Sequence, residues 1–168
     1  MRYYPAALAL SLLGAISAST LHSAPREALP PRAAALLAEG RAALAAGNAD
    51  AATDALEAAL VAQPGAPAIY LALAEAARRQ GMQGKALHYY REVLAKEPQN
   101  FAALSGEGAA LVEKGAVEKA RRNLTRLEGL CGANCAEARQ LAAAIARGPA
   151  PRVVTAEAVK PQPSVSEN

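Results

Sequence analysis

The chain has 168 residues, 52% of them hydrophobic but only 4% aromatic, and its 18 basic and 15 acidic residues leave a net charge of +3. That length has room for one domain, and alanine-rich apolar content with so few aromatic rings favours packed helices over a β-sandwich or barrel. So small a charge, which falls by one if Arg2 is removed, gives no case for a nucleic-acid partner.

The first residues read as a targeting segment. Arg2 precedes the apolar run Ala6 to Ile16, and the small residues Ser17, Ala18 and Ser19 follow it. A charged start, a short apolar stretch and a small-residue exit form a secretory signal peptide. We assign it to residues 1–19, with the cut between about 18 and 24. The run of about 11 residues falls short of the roughly 20 that span a bilayer. An uncleaved anchor, which would bring the chain to a membrane, is therefore the secondary reading. No cysteine stands just after the run, which argues against a lipoprotein. Together with the alanine-rich composition, the signal implies export in a bacterium, to the periplasm. Residues 20–32, with Pro25, Pro30 and Pro31, read as a linker that stops before the first helix.

From residue 33 onward the chain repeats. Gly47, Gly81 and Gly115 are spaced 34 residues apart, and the same interval relates Ala52, Ala86 and Ala120, then Leu56, Tyr90 and Leu124, then Pro64 and Pro98. That period belongs to a helix-turn-helix repeat. Three units follow, at 33–66, 67–100 and 101–132. In each, a glycine turn lets helix A fold back onto helix B within about three residues. Gly40 and Gly108, with Ala74 between them, are expected where helix A meets helix B of the same repeat. Tyr70, Tyr90, Leu73, Leu56 and Leu124 are expected as the apolar knobs that stack one repeat on the next.

The third unit ends in Gly132 rather than proline and leads into Cys131, Gly132, Ala133, Asn134 and Cys135. In an exported protein with an even cysteine count, a local disulfide between Cys131 and Cys135 is the leading reading. Free thiols or a redox pair are the alternatives. A closed zinc site wants four ligands, and the only histidines are His22 and His88. Residues 133–148 read as a capping helix, with Ala136, Leu141, Ala142 and Ile145 at helical spacing and Gly148 and Pro149 as the stop. Residues 149–168, with Pro151, Pro161 and Pro163 and no helical period, read as a disordered tail. Within it, Val153 to Val159 has the character of a segment that could pair with something.

No phosphate loop, paired-carboxylate pattern or nucleophile elbow is visible, so the reading is non-enzymatic, with no cofactor and no metal. His88 beside Tyr89 and Tyr90 reads as a helix-surface histidine. Asn123, Leu124 and Thr125 spell a glycosylation acceptor, but within a packing helix. Lys114, Lys119, Arg121, Arg122 and Arg126, interleaved with Glu113, Glu118 and Glu128, read as a solvated helix face.

The repeats resemble the tetratricopeptide repeat (TPR). The clearest copy is 67–100, through Tyr70, Leu73, Ala74, Gly81, Ala86, Tyr90 and Pro98, with Ala77 in place of the family's usual tyrosine. The resemblance implies an all-α fold, a short right-handed α-solenoid of three TPR units plus a C-terminal capping helix. It also implies a concave groove that binds a peptide or helix of a partner protein. Carried over residue by residue, the groove set is Leu37, Arg41, Leu44, Ala68, Leu71, Ala72, Glu75, Arg78, Arg79, Ser105, Ala109, Val112 and Glu113. Co-chaperone members of the family hold a C-terminal carboxylate with lysine, asparagine and arginine. The positions for that clamp carry Leu37, Arg41, Ala72, Ala102 and Gly106 here, so one cation remains. The expected partner segment is instead apolar with flanking charge, with Arg41, Arg78 and Arg79 orienting acidic groups. A second reading is self-association of the array into an oligomer with no separate ligand. A third is a redox-active periplasmic protein that uses the two cysteines.

Overall fold

The computed structural model describes residues 28–149, which form seven helices and no strands. The signal segment, most of the linker and nearly all of the tail lie outside the described residues. The helices are α1 (Pro31–Ala45), α2 (Ala49–Ala62), α3 (Pro67–Arg79), α4 (Gln83–Lys96), α5 (Phe101–Glu113), α6 (Val117–Cys131) and α7 (Ala136–Arg147). The first begins two residues ahead of the expected repeat boundary, because Pro31 sits in its first turn, where its missing N–H costs nothing.

The 34-residue glycines end the A helices α1, α3 and α5. Gly47, Gly81 and Gly115 have φ of 80°, 72° and 87°, a region that side-chain-bearing residues rarely adopt. Each makes the same pair of closing bonds. Gly47 N–H donates to the Leu44 carbonyl at 3.0 Å and Asn48 N–H to that of Ala43 at 2.9 Å. Met82 and Ala77 repeat the longer bond at 2.8 Å, as do Ala116 and Leu111 at 2.7 Å. These are Schellman closures, which satisfy carbonyls that a helix end leaves bare. After the first of these turns the next helix starts at once, Asn48 capping α2 by accepting from Ala51 N–H at 3.0 Å; at the α4–α5 connection Asn100 caps α5 by accepting from Ala103 N–H at 2.9 Å.

Helices of 12 to 15 residues are marginal alone, so packing holds them. α1 packs on α2, α3 on α4 and α5 on α6, and each pair stacks on the next. The A helices also pack on one another directly, α1 with α3, α3 with α5 and α5 with α7, whereas the B helices stand further apart, α2 and α4 meeting through the Lys85–Glu57 ion pair at 3.2 Å. The array therefore curves with the A helices inside, which gives the short α-solenoid its concave face. Leu56, Ile69, Leu73, Val93, Leu104, Leu127 and Leu141 are fully buried, each worth about 1.5–3 kcal/mol relative to exposure. Tyr70 and Tyr89, with ring centroids 5.9 Å apart, join the core of the first repeat to that of the other two.

Helix contacts are close where a side chain is absent. A Cβ on Gly40 would lie 2.5 Å from Leu56 Cγ, on helix B of the same repeat, as expected. Gly108 differs from expectation. It faces Leu141 of α7, whose Cδ atoms would be 2.6 Å from an added Cβ, rather than its own helix B. Gly106 is covered by the buried ring of Tyr90, which an added Cβ would overlap.

These contacts predict opposite signs for two glycine substitutions. Gly40→Ala gains up to about 1 kcal/mol of helix propensity but overpacks buried Leu56 at a cost of about 1–3 kcal/mol, so urea denaturation should show a net loss. Gly129→Ala, in α6 with nothing within 4 Å of the new methyl, should raise stability by about 0.5–1 kcal/mol.

Candidate functional site: the concave face of the A helices

The concave face takes its side chains from successive turns of α1, α3 and α5, and the carried-over groove set divides there by burial. Leu37, Leu44, Ala72, Ser105, Ala109 and Val112 are buried. Each keeps at most 8% of its surface exposed. Ser105 is committed to the cap, donating its hydroxyl to the Glu137 carbonyl at 3.1 Å. Arg41, Leu71, Glu75, Arg78, Arg79 and Glu113 keep some exposure, as does Ala68.

Four of these charged residues are brought together. Arg78 of α3 donates to both carboxylate oxygens of Glu113 on α5, through Nε at 3.3 Å and through its second terminal nitrogen, and to Glu75 at 3.2 Å. Arg79 pairs with Glu75 at 3.0 Å and donates to the Leu44 carbonyl at the end of α1. Burial alone would lower the Arg78 pKa, but its hydrogen bond to Glu113 and the neighbouring negative charges hold it above the ordinary arginine range. The Tyr90 hydroxyl nearby is pushed up by burial, with the Arg78 charge pulling the other way. Arg78 and Arg79 were expected to orient acidic groups of a ligand. In the structure their donors meet acidic side chains and a helix-end carbonyl of the array itself.

Arg41 differs. It is exposed on α1 and has no ion-pair partner among the described residues. A shallow depression of about 650 Å³ lies at the starts of α3 and α5, lined by half-buried Leu71 and Phe101 together with Glu97, Pro98, Gln99, Asn100 and Ala102. The residue spacing did not point to this depression, because it forms where the α4–α5 turn folds beside α3.

The other sequence candidates fall outside this face. Asn123 donates to the Leu104 carbonyl at 3.2 Å and to Glu107 at 3.0 Å, so its amide ties α6 to α5 and is occupied as a glycosylation acceptor. Glu107 also accepts from Arg91 of α4 at 3.1 Å, a three-helix tie that no spacing rule indicated. In the basic cluster, Arg121 pairs with Glu118 at 3.5 Å and Arg126 donates to the Pro98 carbonyl at 2.7 Å. His88 lies on the helix surface, 4.0 Å from Glu92 and beside the Tyr89 ring. The sulfurs of Cys131 and Cys135 lie 2.09 Å apart, across the turn from α6 into α7. Among the described residues no cluster of three metal-ligating side chains occurs, and no helix is long and apolar enough to cross a membrane.

Two arginine substitutions should separate packing from display. Arg78, with 19% side-chain exposure against 43% for Arg79, leaves Glu113 without its partner when removed. Arg78→Ala should cost about 1.5–3 kcal/mol, the range for hydrogen bonds to charged groups, and Arg79→Ala under about 1 kcal/mol, both read from urea midpoints.

No known family model matches the chain, and no curated protein matches it in sequence. Solved structures do. The chain is similar to the first TPR of Spaghetti (RPAP3) bound to the HSP90 peptide SRMEEVD, at 25% identity and a TM-score of 0.60, over 68% of this chain and 94% of that one. It is similar to the first TPR domain of human RPAP3, at 25% identity and a TM-score of 0.61, over 69% and 94% of the two chains. The Sgt2 TPR domain from Aspergillus fumigatus matches at 25% identity and a TM-score of 0.63, over 71% and 81%. With three glycine-turned helix pairs stacked through their A helices, the described residues have the fold of a TPR domain.

Proposed function

We propose that this chain is a non-enzymatic adaptor or scaffold that works in the bacterial periplasm after export, holding an extended or helical segment of a partner protein on its concave face. The observation that carries the reading is Arg41, an exposed cation on the A helix α1 with no ion-pair partner among the described residues, together with the depression that Leu71 and Phe101 line on α3 and α5. A cation on one A helix and a partly apolar hollow on the next two suit a segment that offers an aliphatic side chain and a carboxylate.

The HSP90 peptide in the RPAP3 structure carries acidic residues. A ligand of this chain has to be held differently from the lysine-asparagine-arginine clamp of the co-chaperones. Leu37 and Ala72 are buried, Ala102 is small, and Gly106 lies under Tyr90. One cation can orient a carboxylate but cannot enclose it, so apolar burial supplies more of the affinity here. Oxidation of Cys131 and Cys135 in the exported protein belongs to the same reading. That bond would fasten the capping helix without chemistry of its own.

Three measurements test the proposal. Arg41→Glu should reduce recovery of a partner from envelope extract about tenfold, the equivalent of roughly 1.4 kcal/mol, with the melting temperature unchanged; undiminished recovery counts against this face. Light scattering on the mature protein should show a monomer, since an oligomer without any recovered partner favours the self-association reading. Iodoacetamide should leave both cysteines of the exported protein unlabelled until reductant is added; full labelling without reductant excludes the disulfide, and full function of Cys131→Ser excludes a redox role.

A further inference from the structure

The capping helix α7 packs on α5 and α6 alone among the described helices, so all that keeps it in place comes from one side. Ala138, Leu141 and Ala144 bury there, with Leu141 seated over Gly108 and sharing a core with Leu104 and Leu127. Buried Ser105 donates its hydroxyl to the Glu137 carbonyl in the first turn of α7. At 12 residues, α7 is marginal without that seat.

The other helices each have a device that fixes their start. α1 and α3 begin on prolines, whose φ already suits a first turn. Asn48 and Asn100 cap α2 and α5 through their side chains. α4 and α6 have no side-chain cap, but their cap residues Met82 and Ala116 donate backbone N–H to Ala77 and Leu111 of the preceding helix, at 2.8 and 2.7 Å. Cys135 stands in the cap position of α7, accepts no side-chain cap bond, and donates its N–H only to Gly132 at 3.3 Å. A thiol is a weak acceptor, where Ser, Thr, Asp or Asn would serve. What Cys135 has instead is its bond to Cys131, four residues earlier at the end of α6. Both cysteines are partly exposed, so a reductant in solution can reach them.

Resting on the reading that Cys131 and Cys135 are oxidised in the exported protein, we propose that their bond is a redox latch on α7. A dithiol reductant lets the helix open and uncovers the side of α5 that carries Ser105 and Gly108, while the three repeats stay folded. The reductant supplies two electrons and two protons; the S–S bond breaks, a thiol forms on each cysteine, and the reductant leaves as its own disulfide. The seat of Leu141 survives reduction, so α7 opens more often rather than unfolding outright. For so short a loop, the closed-to-open ratio falls on the order of tenfold. The earlier repeats are insulated, because each unit of a solenoid contacts only its neighbours. α7 is the last helix in the row that α1, α3 and α5 form, so the redox state sets how far that row extends.

Hydrogen exchange on the full mature chain tests the latch, comparing the oxidised protein with the same protein reduced by dithiothreitol. Reduction should speed exchange of the α7 amides on the order of tenfold and leave those of α3 and α4 unchanged. Equal α7 exchange in the two states overturns the proposal. So does an equal acceleration in every helix, which would make the bond a support of the whole array. Cys131→Ala with Cys135→Ala should exchange like the reduced protein, and any response of this variant to dithiothreitol overturns the latch. Cys131→Ala with Cys135→Asn supplies a side-chain cap without the bond and should recover part of the α7 protection; no recovery overturns the role of the bond as substitute for a cap. Full iodoacetamide labelling of the exported protein without reductant removes the oxidised state on which the latch rests. Partner recovery enters none of these readouts, so the adaptor reading stands or falls separately.

Discussion

Everything in this array depends on side chains seated where a neighbouring helix has none. Leu56 fits over Gly40, Tyr90 over Gly106 and Leu141 over Gly108. In a chain that is 4% aromatic, large rings cannot fill wide gaps between helices. Close approach does the same work, because dispersion falls steeply with separation. The stacking of pairs, the burial of the leucine core and the seating of α7 all depend on these contacts. So does part of the function. Gly106 stands where a co-chaperone has a clamp residue, and the Tyr90 ring already fills the space a larger side chain would need. The packing solution that stabilises the array closes one side of the carboxylate site.

Charge on the concave face obeys the same economy. Glu75, Arg78, Arg79 and Glu113 include both signs, and each of the four finds a partner among the others. Arg78 bridges α3 to α5 and Arg79 reaches the end of α1, so the network fastens three A helices across the inner curve. A partly desolvated network of this kind gains less than its Coulomb attraction suggests, since each ion gives up hydration. Its larger effect is on geometry, because it fixes the spacing of the helices that carry Arg41 and Leu71. On the proposed reading, a ligand meets a face on which the network's cations already have partners.

Much of the fold was legible in the residues. The 34-residue glycines marked the three turns, because a Schellman closure needs a positive φ at one position per turn, and Gly148 marked the end of the cap. The groove was less legible. Leu37, Leu44 and Val112 recur at positions that face inward in a single repeat, but burial depends on the neighbouring A helix, which one repeat does not describe. Ser105 and Ala109 are buried in the same way. The meeting of Arg91, Glu107 and Asn123 joins residues 16 apart on either side, a separation that matches neither the helical period nor the repeat. Such contacts depend on rotamers and on the angle between helices. Helical periodicity assigns a face to each residue, whereas the angle assigns its neighbours.

The cap shows how the last repeat is completed without being repeated. α7 supplies the A-helix face that repeat three needs, through Ala138, Leu141 and Ala144, and no B helix comes after it among the described residues. Ala142, one 34-residue interval after Gly108, is exposed where Gly108 is buried. Leu141 then has a double role, closing the core of repeat three and holding α7 parallel to α5. Because Ser105 meets Glu137 and Gly108 meets Leu141, α7 runs parallel to α5, and its last residue, Arg147, comes level with the end of α5. An antiparallel cap would place it at the opposite end of the helices, away from the network at Glu113. The direction of the last helix, fixed by a leucine seated on a glycine and by the Ser105 bond, thus decides at which end of the array the cap finishes.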